Sequence, residues 1–324
     1  DLAPAPPVVH DPGSLIQGVL DDLRDDPRLV HVRRLPARTA RTGELSRPLP
    51  PEVAARLSHP TLWQHQARAI DLARDGVSFT LATGTASGKS LTYQVPIAEA
   101  ALQGGTSLLI YPTKALAQDQ LLSFGAWDLP GMVPATYDGD CTPEERTWVR
   151  EHANVLLTNP EMLHHGILPN HQRWARFLHA LRFVVIDELH TLRGVFGTHL
   201  AQVLRRLRRL VRHYGGIEPT FVFTSATIGV PEVLASELCG LPIVAVEGDG
   251  SPAGPRDVAL WHPGASEDGA PGGDRWSVHA EAGLLASRLI DAGLRTLVFC
   301  RSRRGTELVA EDIRRTVRPE LAEA

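Results

Sequence analysis

The stretch Ala82-Thr-Gly-Thr-Ala-Ser-Gly-Lys-Ser90 is the part of this sequence from which the fold can be read. A strand-like run, Val77-Ser-Phe-Thr-Leu-Ala82, precedes it, and a helix-like run beginning Ser90-Leu-Thr-Tyr-Gln-Val-Pro-Ile follows it. Strand, small-residue loop and helix is the context in which backbone N–H groups can turn toward phosphate oxygens. The helix N-terminus adds positive potential there, Lys89 adds a full charge, and Ser90 offers a hydroxyl to a magnesium ion. The strict pattern G-x-x-x-x-G-K-[ST] is not met, because Thr83 stands where its first glycine belongs.

The 324 residues suggest roughly two domains, and 43% hydrophobic with 22% charged residues is the balance of an ordinary globular protein. No apolar run reaches the roughly 18 residues that a membrane span requires, and the first residues lack the basic and apolar regions of a signal peptide. A cytoplasmic protein is expected, nucleoid-associated if bacterial, with no membrane partner. Cys141, Cys239 and Cys300 show no paired spacing, so neither a disulfide framework nor a zinc site is expected, and buried thiols are. The net charge of −4 gives no global signature for nucleic acid, so any such binding must rest on local geometry.

Outward from the loop, apolar runs alternate with helical patterns. The runs start at Ser107, Asn154, Leu181 and Thr220, and they are apolar on both faces, as buried strands of a parallel sheet are. Ligands of such a sheet bind at the carboxyl ends of its strands. Those ends carry Pro112-Thr-Lys114, Thr158-Asn-Pro160, Asp187-Glu-Leu-His190 and Ser225-Ala-Thr227. Beside a phosphate loop, Asp187 and Glu188 fit a pair in which one carboxylate holds Mg²⁺ through water and the other activates the attacking water.

Gln66, in a helix pattern upstream of the loop, carries an amide that can both donate to and accept from an adenine edge. Trp63 reads equally as a base-stacking ring and as a helix anchor. The Pro- and Arg-rich first fifty or so residues read as an arm over the domain, with one short helix capped by Ser14. The arginines between Leu200 and Val211 read as the solvated face of a core helix, although a nucleic-acid stripe is the other possibility. Gly and Pro thicken from Gly248 to Gly273 into a linker that holds a short strand at 258–262. A helix, a strand at 295–300 and a further helix then begin a second parallel-sheet unit.

The ordered set Gln66, Ala82–Ser90, Pro112-Thr-Lys-Ala-Leu, Thr158-Asn-Pro-Glu-Met, Asp187-Glu-Leu-His and Ser225-Ala-Thr resembles motifs Q, I, Ia, Ib, II and III of superfamily 2 DExH-box helicases. Leu297-Val-Phe-Cys-Arg-Ser-Arg is similar to motif IV. Within the superfamily, the loop, the run from Asp187 to Ala201 and the arm resemble the mitomycin repair factor A branch, relatives of the RecQ-four-like helicases. The resemblance implies an α/β, RecA-like P-loop fold, a parallel sheet with helices on both faces, and the start of a second RecA-like domain. Its implied divisions are an arm over 1–55, a first domain over 56–248, a linker over 249–276 and the second domain's beginning over 277–324.

By the same resemblance, Gln66 would read adenine, while Thr85, Ala86, Ser87, Gly88, Lys89 and Ser90 would wrap the phosphates. Lys89 would serve the β- and γ-phosphates, Ser90 and Asp187 would hold Mg²⁺, and Glu188 would activate water. His190, Ser225 and Thr227 would couple the nucleotide to the strand track, and Thr113, Lys114, Thr158 and Asn159 would touch the backbone of single-stranded or partly duplex DNA. The branch tolerates Thr83 and Ala86. Motifs V and VI, with the arginine finger, would lie beyond residue 324. The implied activity is that of an ATP-dependent repair helicase or translocase, with these residues alone binding ATP and Mg²⁺ but hydrolysing slowly. A nucleotide-dependent scaffold without turnover and an RNA helicase are the rival readings.

Overall fold

Successive side chains of a strand point to opposite faces, and in the central sheet of this protein both faces are covered. The computed structural model describes residues 12–59, 61–84, 87–225, 229–263 and 277–317. The strands, in chain order, are β1 (Leu29–Leu35), β2 (Thr42–Gly43), β3 (Leu62–Trp63), β4 (Phe79–Ala82), β5 (Thr106–Ile110), β6 (Pro134–Thr136), β7 (Val155–Thr158), β8 (Leu181–Ile186), β9 (Thr220–Ser225), β10 (Val244–Val246) and β11 (Arg256–Trp261). Seven of them form one sheet in the order β10-β4-β9-β8-β5-β7-β6, every pair parallel.

Alternation divides the core in two. Leu108, Ile110, Leu156, Val184, Ile186, Phe221 and Phe223 meet one layer of helices. Phe79, Leu81, Leu109, Val155, Leu157, Val185 and Val222 meet the other. The RecA-like α/β architecture expected from the sequence is therefore present. Its two outer strands, β6 and β10, have three residues each, too few for periodicity to reveal.

The chain forms two units, one of residues 38–253 and one of residues 1–37 with 254–324. The segment read as one arm, 1–55, divides between them. In the smaller unit β1 pairs antiparallel with β11, and helices Pro12–Asp22, Val278–Asp291 and Arg303–Thr316 accompany that ribbon. Arg28 binds Asp26 at 2.7 Å and Glu281 at 3.0 Å, and lies 4.9 Å from the Trp261 ring centroid. Ser14 lies inside its helix rather than at the cap.

The strand expected over 295–300 is not one. No described residue pairs with it, and a strand exists only through its ladder; Leu297 and Phe299 are 77% and 87% exposed. The arginine-bearing helix, Gly194–His213, buries Leu200, Val203, Leu204, Leu207 and Val211, exposes Arg205, Arg209 and Arg212, and leaves Arg206 and Arg208 partly covered. Of these, Arg208 is held by Glu218 at 2.6 Å. Cys239 is buried, whereas Cys141 and Cys300 are only partly so. No described helix is long and apolar enough to cross a membrane.

Candidate nucleotide site

Three adjacent strands, β4, β9 and β8, carry the phosphate loop, Ser225 and the acidic pair at their carboxyl ends. Parallel pairing sets Ala82 beside Ser225 and Ile186 beside Phe223, so the three ends are level. β9 therefore stands between the loop and the carboxylates. It touches both. Ser225 O accepts from Lys89 Nζ at 3.1 Å, and Thr224 Oγ1 donates a short hydrogen bond to Asp187 Oδ1.

The loop is held from behind by the first turn of the helix Gln64–Arg74. Gln66 Nε2 donates to Gly88 O at 3.0 Å, and Gln66 Oε1 accepts from Trp63 N at 2.9 Å. An amide has two hydrogens and two lone pairs, so these two bonds leave one of each unused. Gly88 has φ +70°, a left-handed conformation that glycine adopts without a steric penalty. Ser87 Oγ donates to Gly84 O at 2.9 Å and pairs with Thr83 Oγ1 at 2.6 Å. Thr83, the residue that breaks the strict pattern, is thus a hydroxyl brace inside the loop. Lys89 Nζ also donates to Thr83 O at 2.9 Å and Gly84 O at 3.2 Å. Ser90 precedes the helix Leu91–Leu102, and its hydroxyl does not cap that helix.

Asp187 Oδ1 also accepts from Glu188 N at 2.9 Å. Oδ2 carries neither of these bonds, and a carboxylate oxygen and a hydroxyl such as that of Ser90 are hard-oxygen donors of the kind that suit magnesium. Glu188 has φ 57° and ψ 45°, a left-handed conformation that costs a non-glycine residue roughly 1–2 kcal/mol. Strain of that kind concentrates where geometry serves function. Glu188 Oε2 lies 3.1 Å from His190 Nδ1, which in turn is 3.4 Å from Ser225 Oγ. Water-activating candidate, histidine and β9 end are thereby in one chain of contacts. Thr85, Ala86 and Thr227 lie outside the described residues.

The four expected nucleic-acid contacts sit at the ends of β5 and β7, but their side chains have other partners. Thr113 Oγ1 accepts from Leu116 N, and Asn159 Oδ1 accepts from Met162 N at 2.8 Å. Thr158 is 2% exposed and donates to Tyr137 O at 2.7 Å, while Lys114 pairs with Asp140. Two residues that sequence reasoning missed belong to the site. Thr224 orients Asp187, and His65 lies within 3.0 Å of Ser87 O in the loop. Period-2 burial could have marked Thr224 as a polar residue inside a core strand; nothing local marks His65.

The family model for DEAD/DEAH box helicases matches residues 63–235. YprA of Bacillus subtilis, an uncharacterized ATP-dependent helicase, is 36% identical over 314 residues, which are 94% of this chain and 41% of YprA. The ATP-dependent helicase HRQ1 of Saccharomyces cerevisiae is 38% identical over 89% of this chain and 27% of its own length. A crystal structure of the DUF1998 helicase MrfA bound to DNA superposes with a TM-score of 0.89 at 36% identity, covering 95% of this chain and 42% of that one. A second, bound to DNA and AMPPNP, gives 0.86 at 35% identity, over 95% and 43%. The chain thus spans about two-fifths of YprA and of the MrfA chains, and less of HRQ1. With the family model covering more than half of the chain, including both the loop and the acidic pair, this protein belongs to the DEAD/DEAH box helicases, alongside YprA, Hrq1 and MrfA within superfamily 2.

Proposed function

We propose that this chain is the ATP-binding motor portion of a DNA helicase or translocase that serves DNA repair. The observation that carries this reading is the double contact of β9, to Lys89 on one side and to Asp187 on the other. A strand end that touches both the phosphate-binding lysine and the metal-binding carboxylate is placed to respond to hydrolysis. Gln66 reads adenine, and Thr85, Ala86, Ser87, Gly88, Lys89 and Ser90 wrap the phosphates. Ser90 and, through water, Asp187 hold Mg²⁺, which when bound offsets phosphate charge. Glu188 orients and deprotonates the attacking water, and His190, Ser225 and Thr227 relay the change toward the strand track.

MrfA bound to DNA supports DNA over RNA as the partner. Because the side chains of Thr113, Thr158 and Asn159 are engaged, we propose that these positions meet the strand through backbone groups, with Lys114 exchanging Asp140 for a phosphate. We further propose the divisions 1–55, 56–248, 249–276 and 277–324 as arm, first RecA-like domain, linker and start of the second domain. A cytoplasmic or nucleoid location fits this role.

The test is nucleic-acid-stimulated ATPase activity of the full-length protein. Lys89→Ala and Glu188→Gln are expected to lower it at least about a hundredfold. Unchanged rates in both variants defeat the enzyme reading and leave the scaffold. Stimulation by RNA but not by DNA defeats the DNA reading.

A further inference from the structure

His65 is 1% exposed and makes two hydrogen bonds whose roles can be assigned. Gly250 N lies 3.1 Å from Nδ1, and a backbone amide can only donate. Nδ1 is therefore the bare nitrogen, Nε2 carries the proton, and Nε2–H donates to Ser87 O at 3.0 Å. The ring is a neutral bridge of fixed tautomer between the phosphate loop and the segment around residue 250.

Each end of the bridge matters. In a trans peptide the carbonyl and the following N–H point in opposite directions. His65 draws the Ser87 carbonyl toward the helix Gln64–Arg74, and Gln66 draws the Gly88 carbonyl the same way. The N–H groups of Gly88 and Lys89 consequently face away from that helix, toward the cradle. At the other end, Gly250 lies where the chain is about to leave the larger unit, and the entering and leaving passes are fastened together. Arg41 N donates to Gly250 O at 2.8 Å, and Arg38 and Ala253 exchange bonds of 2.8 and 3.0 Å. A side chain at 250 would lie 2.7 Å from Arg41 O, so the histidine meets a backbone that only glycine permits. Asp249 is tied to Arg38 at 2.6 Å, and its Oδ2 lies 3.7 Å from where a Cβ on Gly84 would sit.

We propose that His65 is a positioning residue that aims the phosphate-loop amides and transmits their state to the paired connecting passes at 38–41 and 249–253. This rests on the nucleotide-site reading above. It assigns His65 a role in two readouts that a core histidine would not influence separately. Because Gln reaches about as far as Nε2 and Asn about as far as Nδ1, each conservative variant keeps one end of the bridge.

The experiment combines titration of the full chain with a fluorescent ATP analogue and Mg²⁺ with amide hydrogen exchange at residues 249–253. In the wild type, nucleotide is expected to slow exchange there at least fivefold. His65→Leu is expected to weaken nucleotide binding tenfold or more and to abolish the slowing. His65→Gln is expected to bind within threefold of wild type yet lose the slowing, whereas His65→Asn keeps slow basal exchange and loses affinity. This pair decides the matter even if the leucine variant does not fold. Wild-type-like affinity and slowing in all variants overturn the proposal, as does nucleotide binding that leaves wild-type exchange at 249–253 unchanged. Failure of the wild type to bind the analogue would instead overturn the nucleotide-site reading, and this proposal with it.

Discussion

Gln66 and Gly88 are in close contact: the Gln66 Nε2 that donates to Gly88 O would lie 2.5 Å from any Cβ added at residue 88, so a side chain there displaces the amide. The glycine must also hold φ +70°. Gly88→Ala therefore meets two separate penalties, the collision and a left-handed conformation worth roughly 1–2 kcal/mol. Adding Gln66→Ala removes only the first. The double variant is expected to recover part of the lost thermal midpoint but none of the affinity for an ATP analogue, since the amide that holds the loop is gone. Full recovery of both would mean that the Gln66 contact is incidental.

Thr224 has 0% exposure, and its hydroxyl orients the carboxylate of Asp187. Thr224→Val keeps the shape and deletes the bond. The stability cost is expected to be about 1.5–3 kcal/mol, the usual net value of a hydrogen bond to a charged group. The stimulated ATPase rate of the full-length protein is expected to fall about tenfold or more, because a free carboxylate no longer presents Oδ2 in one direction. Urea unfolding and steady-state kinetics separate the two effects.

Glu188 adopts the left-handed region while lying 3.1 Å from His190. Asn tolerates that conformation better than Glu does. Glu188→Asn is accordingly expected to leave the unfolding free energy unchanged or raise it by up to about 1 kcal/mol, while ATP hydrolysis is lost. A clear loss of stability would show that the strain is not where the backbone places it.

How much of this was legible beforehand depended on whether the decisive contact lay along the chain or across it. Lys89, Asp187, Glu188 and Ser225 each end or follow an apolar run, and the rule that ligands meet carboxyl ends of parallel strands gathers such residues without coordinates. His65 escaped because its partners are backbone atoms 22 and 185 positions away, and a backbone carbonyl or amide leaves no mark in a sequence. Thr113 and Thr158 were legible in position only: their location at strand ends follows from pattern, but Thr158 donating inward to Tyr137 O follows from the way β6 lies beside β7.

Burial holds the His65 imidazole below its usual titration range, against the opposing pull of the Ser87 carbonyl and the Asp249 charge; Arg38 and Lys89 push the same way as burial. The unfolded chain therefore takes up a proton near pH 6.5 that the folded chain refuses. Stability from this group is complete above that pH and is lost as the pH falls toward the lower folded value. With thirteen other histidines of the fourteen common to both proteins, subtracting the urea stability of His65→Gln from that of wild type isolates the contribution. The difference is expected to shrink steadily from pH 7 to pH 5; a flat difference would show that folding leaves the proton affinity of His65 unchanged, and one that grows would show that His65 is protonated in the fold.

Leu297 and Phe299 are 77% and 87% exposed, and they alternate with partly buried Thr296, Val298 and Cys300. The run has the alternation of a strand and no ladder among the described residues, so its N–H and C=O groups and two large apolar side chains are open together. Such an edge is a template for a second chain. The chain of 324 residues is expected to self-associate through this run at micromolar concentration. Leu297→Ser with Phe299→Ser should return it to a monomer by light scattering, without altering nucleotide binding, because neither residue belongs to the larger unit that holds the phosphate loop. Persistent association in the double variant would move the sticky surface elsewhere, and the exposed Val30, Val258 and Leu260 of the β1–β11 ribbon would be the next to test.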